Sequence, residues 1–352
     1  MTFLKSPSNI GCKFGILQFG FSSILSLGQL QNQATDGETK VSRTLTRDEN
    51  FNFRAAYWAD LHKLLYGALP VDIVLWGYFF LSFSMYDDKS KVKVEAKDLE
   101  MGVTVDIVAD LLIAADGCLS SIRQSFCQLI NEQMKSTRIC RNNQNFYFNI
   151  EANKERMREE KYSDYCAWRG ILDSSNKEHS EAIIILKKLY PDLGKCLYFD
   201  LSAATHCVFY ELLNHRFNWI WYINQPEPNL KGNSVTMKVS ENLVQSMHEE
   251  AEKTWVPEFV RVIKEIKKPF LNVIYDCDPL EQIFWDKEVL IGDAAHPTTP
   301  HGLRSTNMSI LDADVLGKCL EKWEVENLNS ALKNISPLGC QLLRSRFYIL
   351  GD

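Results

Sequence analysis

VLIGDAAHPTTPHGLRSTNMSILDADVLGKCL, residues 289–320, is the stretch on which the reading of the whole chain turns. It begins as a short apolar run, crosses a turn holding Asp293, His296, Pro297, Pro300, His301 and Gly302, and ends in a helical pattern that starts near Ser305 or Thr306. A buried strand that delivers Gly292-Asp293 at its C-terminal end puts a carboxylate where open α/β sheets bind ligands. A carboxylate there suits the hydroxyls of a ribose. The helix that follows offers free N–H groups and a partial positive charge. Pro297 and Pro300 stiffen the turn, and Gly302 lets backbone approach a flat ligand. Met308, Leu311, Val315, Cys319 and Leu320 form the apolar face of the helix. A proline-rich strand-to-helix turn with solvated polar residues is the bland alternative for the same stretch.

Working outward, DLLIAADG (110–117) reads as a second short buried strand that closes on an acid and a glycine, Asp116-Gly117. Residues 55–69 repeat apolar positions at helical spacing, and Pro70 ends the pattern. DIVLWGYFFLSFSM (72–85) reads as one or two strands, and KVKVEAK (91–97) alternates as a half-exposed strand does. YCAWRGIL, AIIILKKL, KCLYFDL, THCVFYELL and FNWIWYIN, between about 162 and 225, read as a mostly antiparallel sheet, with Trp219 and Trp221 on one face and Ile220 and Tyr222 on the other. Residues 240–268 read as two helices, the second starting at Pro257. FLNVIYDC and EVLIG are further strands. The polar, charged tract 128–161 reads as an insertion.

Composition narrows the function. Of 352 residues, 45% are hydrophobic and 24% charged, enough apolar content for a large core. A net charge of −6 argues against a nucleic-acid module. The ten cysteines lack C-x-x-C spacing, which excludes a zinc ribbon and points to reduced thiols. The histidines lack metal spacing, G-x-S-x-G is absent, and so is an apolar run long enough to span a membrane. A cytoplasmic location is expected, with an N-terminal targeting segment as the alternative.

GDAAH-P-x-x-P, followed by Asn307 and Asp312-Ala313, resembles the second flavin motif of the FAD-dependent aromatic hydroxylases. LLIAADGCLSSIR (111–123) resembles their middle motif. RAAYWADLHKLL (54–65), CAWRGIL (166–172) and HGLRSTNMSILDA (301–313) are most similar to the branch around 2,6-dihydroxypyridine 3-monooxygenase and its plant relatives. The resemblance covers roughly 31–127 and 162–330. It implies an α/β chain: a Rossmann-like FAD-binding domain in two parts, 1–127 and 285–352, with the insertion 128–161 and a β-rich substrate domain, 162–284, between them. It implies FAD and NAD(P)H as cofactors, a small aromatic or N-heterocyclic substrate to be hydroxylated, and a homodimer. Carried over residue by residue, Gly292 and Asp293 meet the ribityl or pyrophosphate region, and Pro300, Gly302, Leu303 and Asn307 wrap the isoalloxazine. Asp116, Gly117 and Arg123 support FAD and the nicotinamide cofactor, and Arg54 sits near the phosphates. Trp168 and Arg169 line the substrate pocket, or else serve as a core Trp and a surface Arg. His296 and His301 either move protons beside the flavin or span the loop.

The resemblance is incomplete. Such chains open with a strand, a G-x-G-x-x-G turn and a helix that cradle the pyrophosphate. Gly11, Gly15, Gly20 and Gly28 do not form that pattern, and Leu303 and Ser305 stand where the family keeps a Gly-x-Gly element. The opening βαβ unit is expected to be absent, and FAD binding to be weak or lost. The alternative function is therefore a truncated, non-catalytic remnant. A dehydrogenase unrelated to flavin is set aside, because the dinucleotide-like elements match the flavin family.

Overall fold

The computed structural model describes residues 3–4, 24–125, 161–173, 177–230, 234–277, 280, 283–301 and 305–322. The expected insertion (residues 128–161, apart from Lys161), Gly302, Leu303 and the C-terminal tail from 323 lie outside the described residues.

The largest element is an eight-stranded sheet. Its spatial order is Thr236–Met237, Phe270–Asp276, Lys161–Asp173, Arg216–Asn224, Thr205–Leu212, Cys196–Ser202, Gln29–Thr35 and Ser42–Asp48. Neighbours are antiparallel except Cys196–Ser202, which runs parallel to Gln29–Thr35. Gln29–Thr35 and Ser42–Asp48, which precede the first motif, extend this sheet. Gln29–Thr35 reaches that sheet by pairing with the distant Cys196–Ser202, and Ser42–Asp48 follows by local antiparallel pairing with Gln29–Thr35. The run AIIILKKL is a correction. It lies within a helix, Lys177–Leu189, not a strand. Ala182, Ile183 and Leu186 are buried while Ile184 is exposed, the spacing of a helix face; a short apolar run by itself fits either structure.

The two sides of this sheet have separate cores. One carries Cys166, Trp168, Phe209, Phe217, Trp219 and Trp221, covered by the helices Glu241–Thr254 and Pro257–Glu265. Burying each Phe- or Leu-sized side chain there contributes roughly 1.5–3 kcal/mol. Ser240 caps the first helix by accepting from Leu243 N, and Pro257 opens the second, as read from the sequence. The opposite side carries Ala167, Val208, Ile220, Tyr222 and Ile274, packed with Leu27 and Ala55. These last two come from the antiparallel pair Ile24–Leu27 and Phe53–Ala56.

A three-stranded antiparallel meander, Tyr78–Met85, Val92–Asp98 and Thr104–Ala109, lies before the first motif. Val92, Val94 and Ala96 face inward, as the alternation of KVKVEAK requires. It packs with a small sheet built from Leu112–Ala114, Glu288–Leu290 and Phe284–Trp285. The strand at 112–114 is less buried than expected: Leu112 and Ala114 are inside, but Ile113, which points to the opposite face, is exposed. The closing helix is Ser305–Lys322. Leu316 is its buried anchor, a position the expected apolar face left out, and Leu311 is exposed instead. The helix Trp58–Gly67 buries no residue at all.

Candidate functional site

The two motif strands are direct neighbours. Leu112–Ala114 pairs in parallel with Glu288–Leu290, register Leu112↔Glu288 and Ala114↔Leu290, and Ile291 N donates to Ala114 O at 3.0 Å. Parallel pairing puts both C-terminal ends on one edge, so Asp116-Gly117 and Gly292-Asp293 emerge side by side.

Arg123 ties the two loops together. Its guanidinium is 4% exposed and donates to three carbonyls, Cys118 O at 2.6 Å, Ala294 O at 3.2 Å and Asp293 O at 3.3 Å. The structure therefore uses Arg123 as a buried clamp between the motifs, where a cofactor contact was expected. Asp116 has local partners too: Ser120 Oγ donates to it at 2.6 Å and Ile122 N at 3.3 Å. Ser120 in turn accepts from Arg123 N at 2.9 Å, an N-cap of the helical turn that begins at residue 121. Gly117 sits at φ +86° with open space where a side chain would be.

On the second loop, Gly292 has φ +59°, and a Cβ there would lie 2.8 Å from Ser309 Oγ. Asp293, half-buried, accepts from Ser305 Oγ at 2.6 Å and so anchors the start of the closing helix. His296 is 3% exposed. Its Nε2 lies 2.6 Å from Asp312 Oδ2, which also accepts from Gly292 N at 2.7 Å. This places His296 in a buried pair that fastens loop to helix. Its Nδ1, and Thr298 Oγ1 two residues on, are buried without a hydrogen-bond partner among the described residues. Pro300 is half-buried in the same loop, and Asn307 is exposed on the first turn of the helix.

His301 reaches across to the large sheet. Its Nδ1 is 2.9 Å from Tyr165 Oη, and its Nε2 is 3.0 Å from His206 Nε2. The His206 ring stacks on Tyr222 at 4.5 Å. Though the residue surface of His301 is open to solvent, its ring lies among these three, and their bulk holds both imidazoles below the usual histidine range, His206 at about 4. Burial raises the Tyr165 hydroxyl.

Trp168 and Arg169 are adjacent on one strand and so point to opposite faces. Trp168 is buried in the helix-covered core with Trp219 and Trp221, the core Trp of the two alternatives. Arg169 faces the other side, opposite Ile220 and near Tyr210 and Tyr222. Its Nε is buried and unpartnered among the described residues, as is Asn218 Nδ2, a diagonal neighbour on the same face. Arg54 is exposed and donates to Ser26 Oγ. A separate cleft of about 470 Å³ lies between Leu119 and the Glu227–Leu230 turn and reaches Tyr275.

Sequence reading missed His206, Tyr165, Tyr222 and Asn218. The hairpin register His206↔Tyr222 was available from the alternation of the two strands. The contact of both with His301 was not, because it joins segments 95 residues apart.

Among the described residues, no group of His, Cys, Asp and Glu is placed to hold a metal, and no helix is long and apolar enough to cross a membrane. No protein-family model matches the chain, and no curated protein matches it. Solved structures do. The 2,6-dihydroxypyridine-3-hydroxylase of Arthrobacter nicotinovorans superimposes with a TM-score of 0.69 over 93% of this chain and 75% of that one, at 16% identity. HpxO of Klebsiella pneumoniae, solved with FAD and uric acid, gives 0.64 over 92% and 70%, also at 16% identity. A salicylate hydroxylase solved with its substrate gives 0.60 over 93% and 75%, at 17% identity. The chain has the fold of the FAD-dependent aromatic hydroxylases, the family its two motifs resemble.

Proposed function

We propose that the chain is a flavin-dependent monooxygenase that hydroxylates an aromatic or N-heterocyclic substrate at the expense of NAD(P)H. The observation that carries the reading is the parallel pairing of the two motif strands, which brings Asp116-Gly117 and Gly292-Asp293 to one edge. The ring end of FAD fits this edge. Gly117 leaves open space, the helix Ser305–Lys322 follows the loop, and His296 Nδ1 and Thr298 Oγ1 are buried polar atoms with no partner among the described residues. Asp293, Pro300 and Asn307 complete the wall. The adenosine-diphosphate end is different: among the described residues there is no glycine-rich strand-to-helix turn to cradle it.

FAD, when bound, supplies the electron transfer and oxygen chemistry. The residues of this chain bind and orient. Arg169 and Asn218 offer buried donors to an oxygen of the substrate, and a buried donor left unmade costs about 1–3 kcal/mol. Tyr222 and Ile220 cover the ring face and exclude water, while His301, at the loop tip, is placed to hold or pass a proton. The proposal extends to a cytoplasmic homodimer, testable by sedimentation and by localisation of a tagged chain.

The expected outcome is weak but measurable FAD binding, read from quenching of flavin fluorescence. With saturating FAD, NAD(P)H oxidation should rise on adding hydroxylated aromatics or N-heterocycles, with one oxygen atom gained by the product. A second reading is a non-catalytic remnant, favoured by the lack of a G-x-G-x-x-G pattern among Gly11, Gly15, Gly20 and Gly28. Bound FAD with no stimulated NAD(P)H oxidation across such compounds would support that reading over the first.

A further inference from the structure

We propose that His206 is the positioning residue of His301: together with Tyr165 it grips both ring nitrogens of that imidazole, fixes its tautomer, and seats the loop from Pro297 to His301 on the large sheet. The motif resemblance assigns His206 nothing. The inference concerns the loop that borders the flavin edge in the function proposed above, and its catalytic consequence rests on that reading; the geometry does not.

Three features carry it. First, the contacts are complete on both sides: Tyr165 Oη at 2.9 Å from Nδ1 and His206 Nε2 at 3.0 Å from Nε2. Second, the sheet is shaped to make them. The strand Lys161–Asp173 breaks register between Tyr162 and Cys166, and Asp164 adopts φ +63° there. An irregularity of this kind re-aims the next side chain, here Tyr165, toward the loop. Third, His206 is itself held, stacked at 16° on Tyr222, its cross-strand partner.

Proton counting makes the string cooperative. A single proton can lie between the two Nε2 atoms. If His301 supplies it, His301 Nδ1 must accept from the Tyr165 hydroxyl. If His206 supplies it, His301 Nδ1–H must donate to Tyr165 Oη. Either way the state of His206 dictates the state of the far nitrogen of His301. The titratable and charged groups that face the pair are Tyr165, Tyr222, Asp276 beyond Tyr165, and Arg169 beside Tyr222. A second proton on the pair would set like charges 3.0 Å apart, so the string is a neutral-pH arrangement that acid loosens.

The test uses the whole chain labelled with ¹⁵N-histidine, and compares wild type with His206→Gln, which keeps a hydrogen-bonding nitrogen, and His206→Phe, which keeps only the stacked ring. Wild type should show His301 as one fixed tautomer from about pH 8 to about pH 5.5. His206→Gln should retain that signature. His206→Phe should show mixed tautomers, with amide-exchange protection of the 297–301 loop reduced about tenfold. Should His206→Phe not fold, Tyr165→Phe takes its place. That variant removes the other grip and should release the tautomer while the His206–His301 bond persists. An unchanged His301 signature in either variant, or a freely titrating His301 in wild type, overturns the proposal. Neither flavin nor turnover is needed, so a chain that fails to bind FAD still tests it.

Discussion

At Gly292 two constraints meet. Its φ of +59° is one that L side chains adopt at a cost of about 1–2 kcal/mol, and its missing Cβ leaves the room that Ser309 Oγ occupies. Gly292→Ala should therefore destabilise the chain by about 2–3 kcal/mol in denaturant unfolding. Adding Ser309→Gly should restore only the clash component, leaving the backbone strain. Additive losses in the double mutant would show that the two residues do not press on each other.

Glu288 poses a different problem at the same scale. It is buried in the strand that carries the second motif, its Oε1 has no partner among the described residues, and burial with help from Asp286 pushes its carboxyl up to about 8. The folded value lies above the ordinary one of 4.5. The stability this group contributes is thus full below about pH 4.5 and is lost as pH rises toward 8, at up to about 1.4 kcal/mol per unit. Glu288→Gln removes the ionisation. The variant should gain on wild type steadily between those limits in urea melts. Parallel pH profiles would mean that the carboxyl ionises without penalty.

Among the elements, the helix Trp58–Gly67 stands apart because packing does not explain it. It buries no residue, and Trp58 is 72% exposed. Isolated helices of this length are marginal. What holds it is polar: Arg216, on the large sheet, pairs with Asp60 at 2.6 Å and lies 4.5 Å over the Tyr57 ring. These half-exposed contacts sum to about 1–2 kcal/mol. Arg216→Ala should leave global unfolding changed by that amount at most, while amide exchange in residues 58–67 rises steeply. Retained protection there would mean that some other contact holds the helix. The motif loops show the reverse: Arg123 and His296 are buried and, with the half-buried Asp312, bonded from loop to loop and loop to helix, so that junction should exchange only with the core of its sheet.

For the molecule as a whole, the contrast lies between two regions. The large sheet is covered on one face by three helices, Lys177–Leu189, Glu241–Thr254 and Pro257–Glu265, and on the other by the strands at 24–27 and 53–56. The small motif sheet has three strands and one parallel pair, with an exposed Ile113 at its edge. Parallel sheets are stable when both faces and both edges are covered. The loops at the ends of the two motif strands are well braced, whereas the described residues include no glycine-rich strand-to-helix turn. Added FAD should raise the thermal midpoint in proportion to its concentration over Kd; absence of any shift at high FAD would count against the ring-end site itself.

How much was legible beforehand depended on range. Asp293 after its strand, Ser240 and Pro257 at helix starts, the paired faces of Trp219/Trp221 and Ile220/Tyr222, and the alternation at 91–97 all follow from periods of two or 3.6 residues and from local chain stiffness. The sequence alone determined these, together with the motifs that named the fold. Tertiary structure alone decided that AIIILKKL is a helix, that the strands at 29–35 and 42–48 join the large sheet, that Arg123 spends its donors on loop carbonyls, that Trp168 faces the helix-covered core while Arg169 lies near Tyr210 and Tyr222, and that His206 and Tyr165 hold His301. Each of those outcomes depends on partners distant in sequence. A side chain's periodicity says which face it takes, but what lies across that face is set by the packing of the whole.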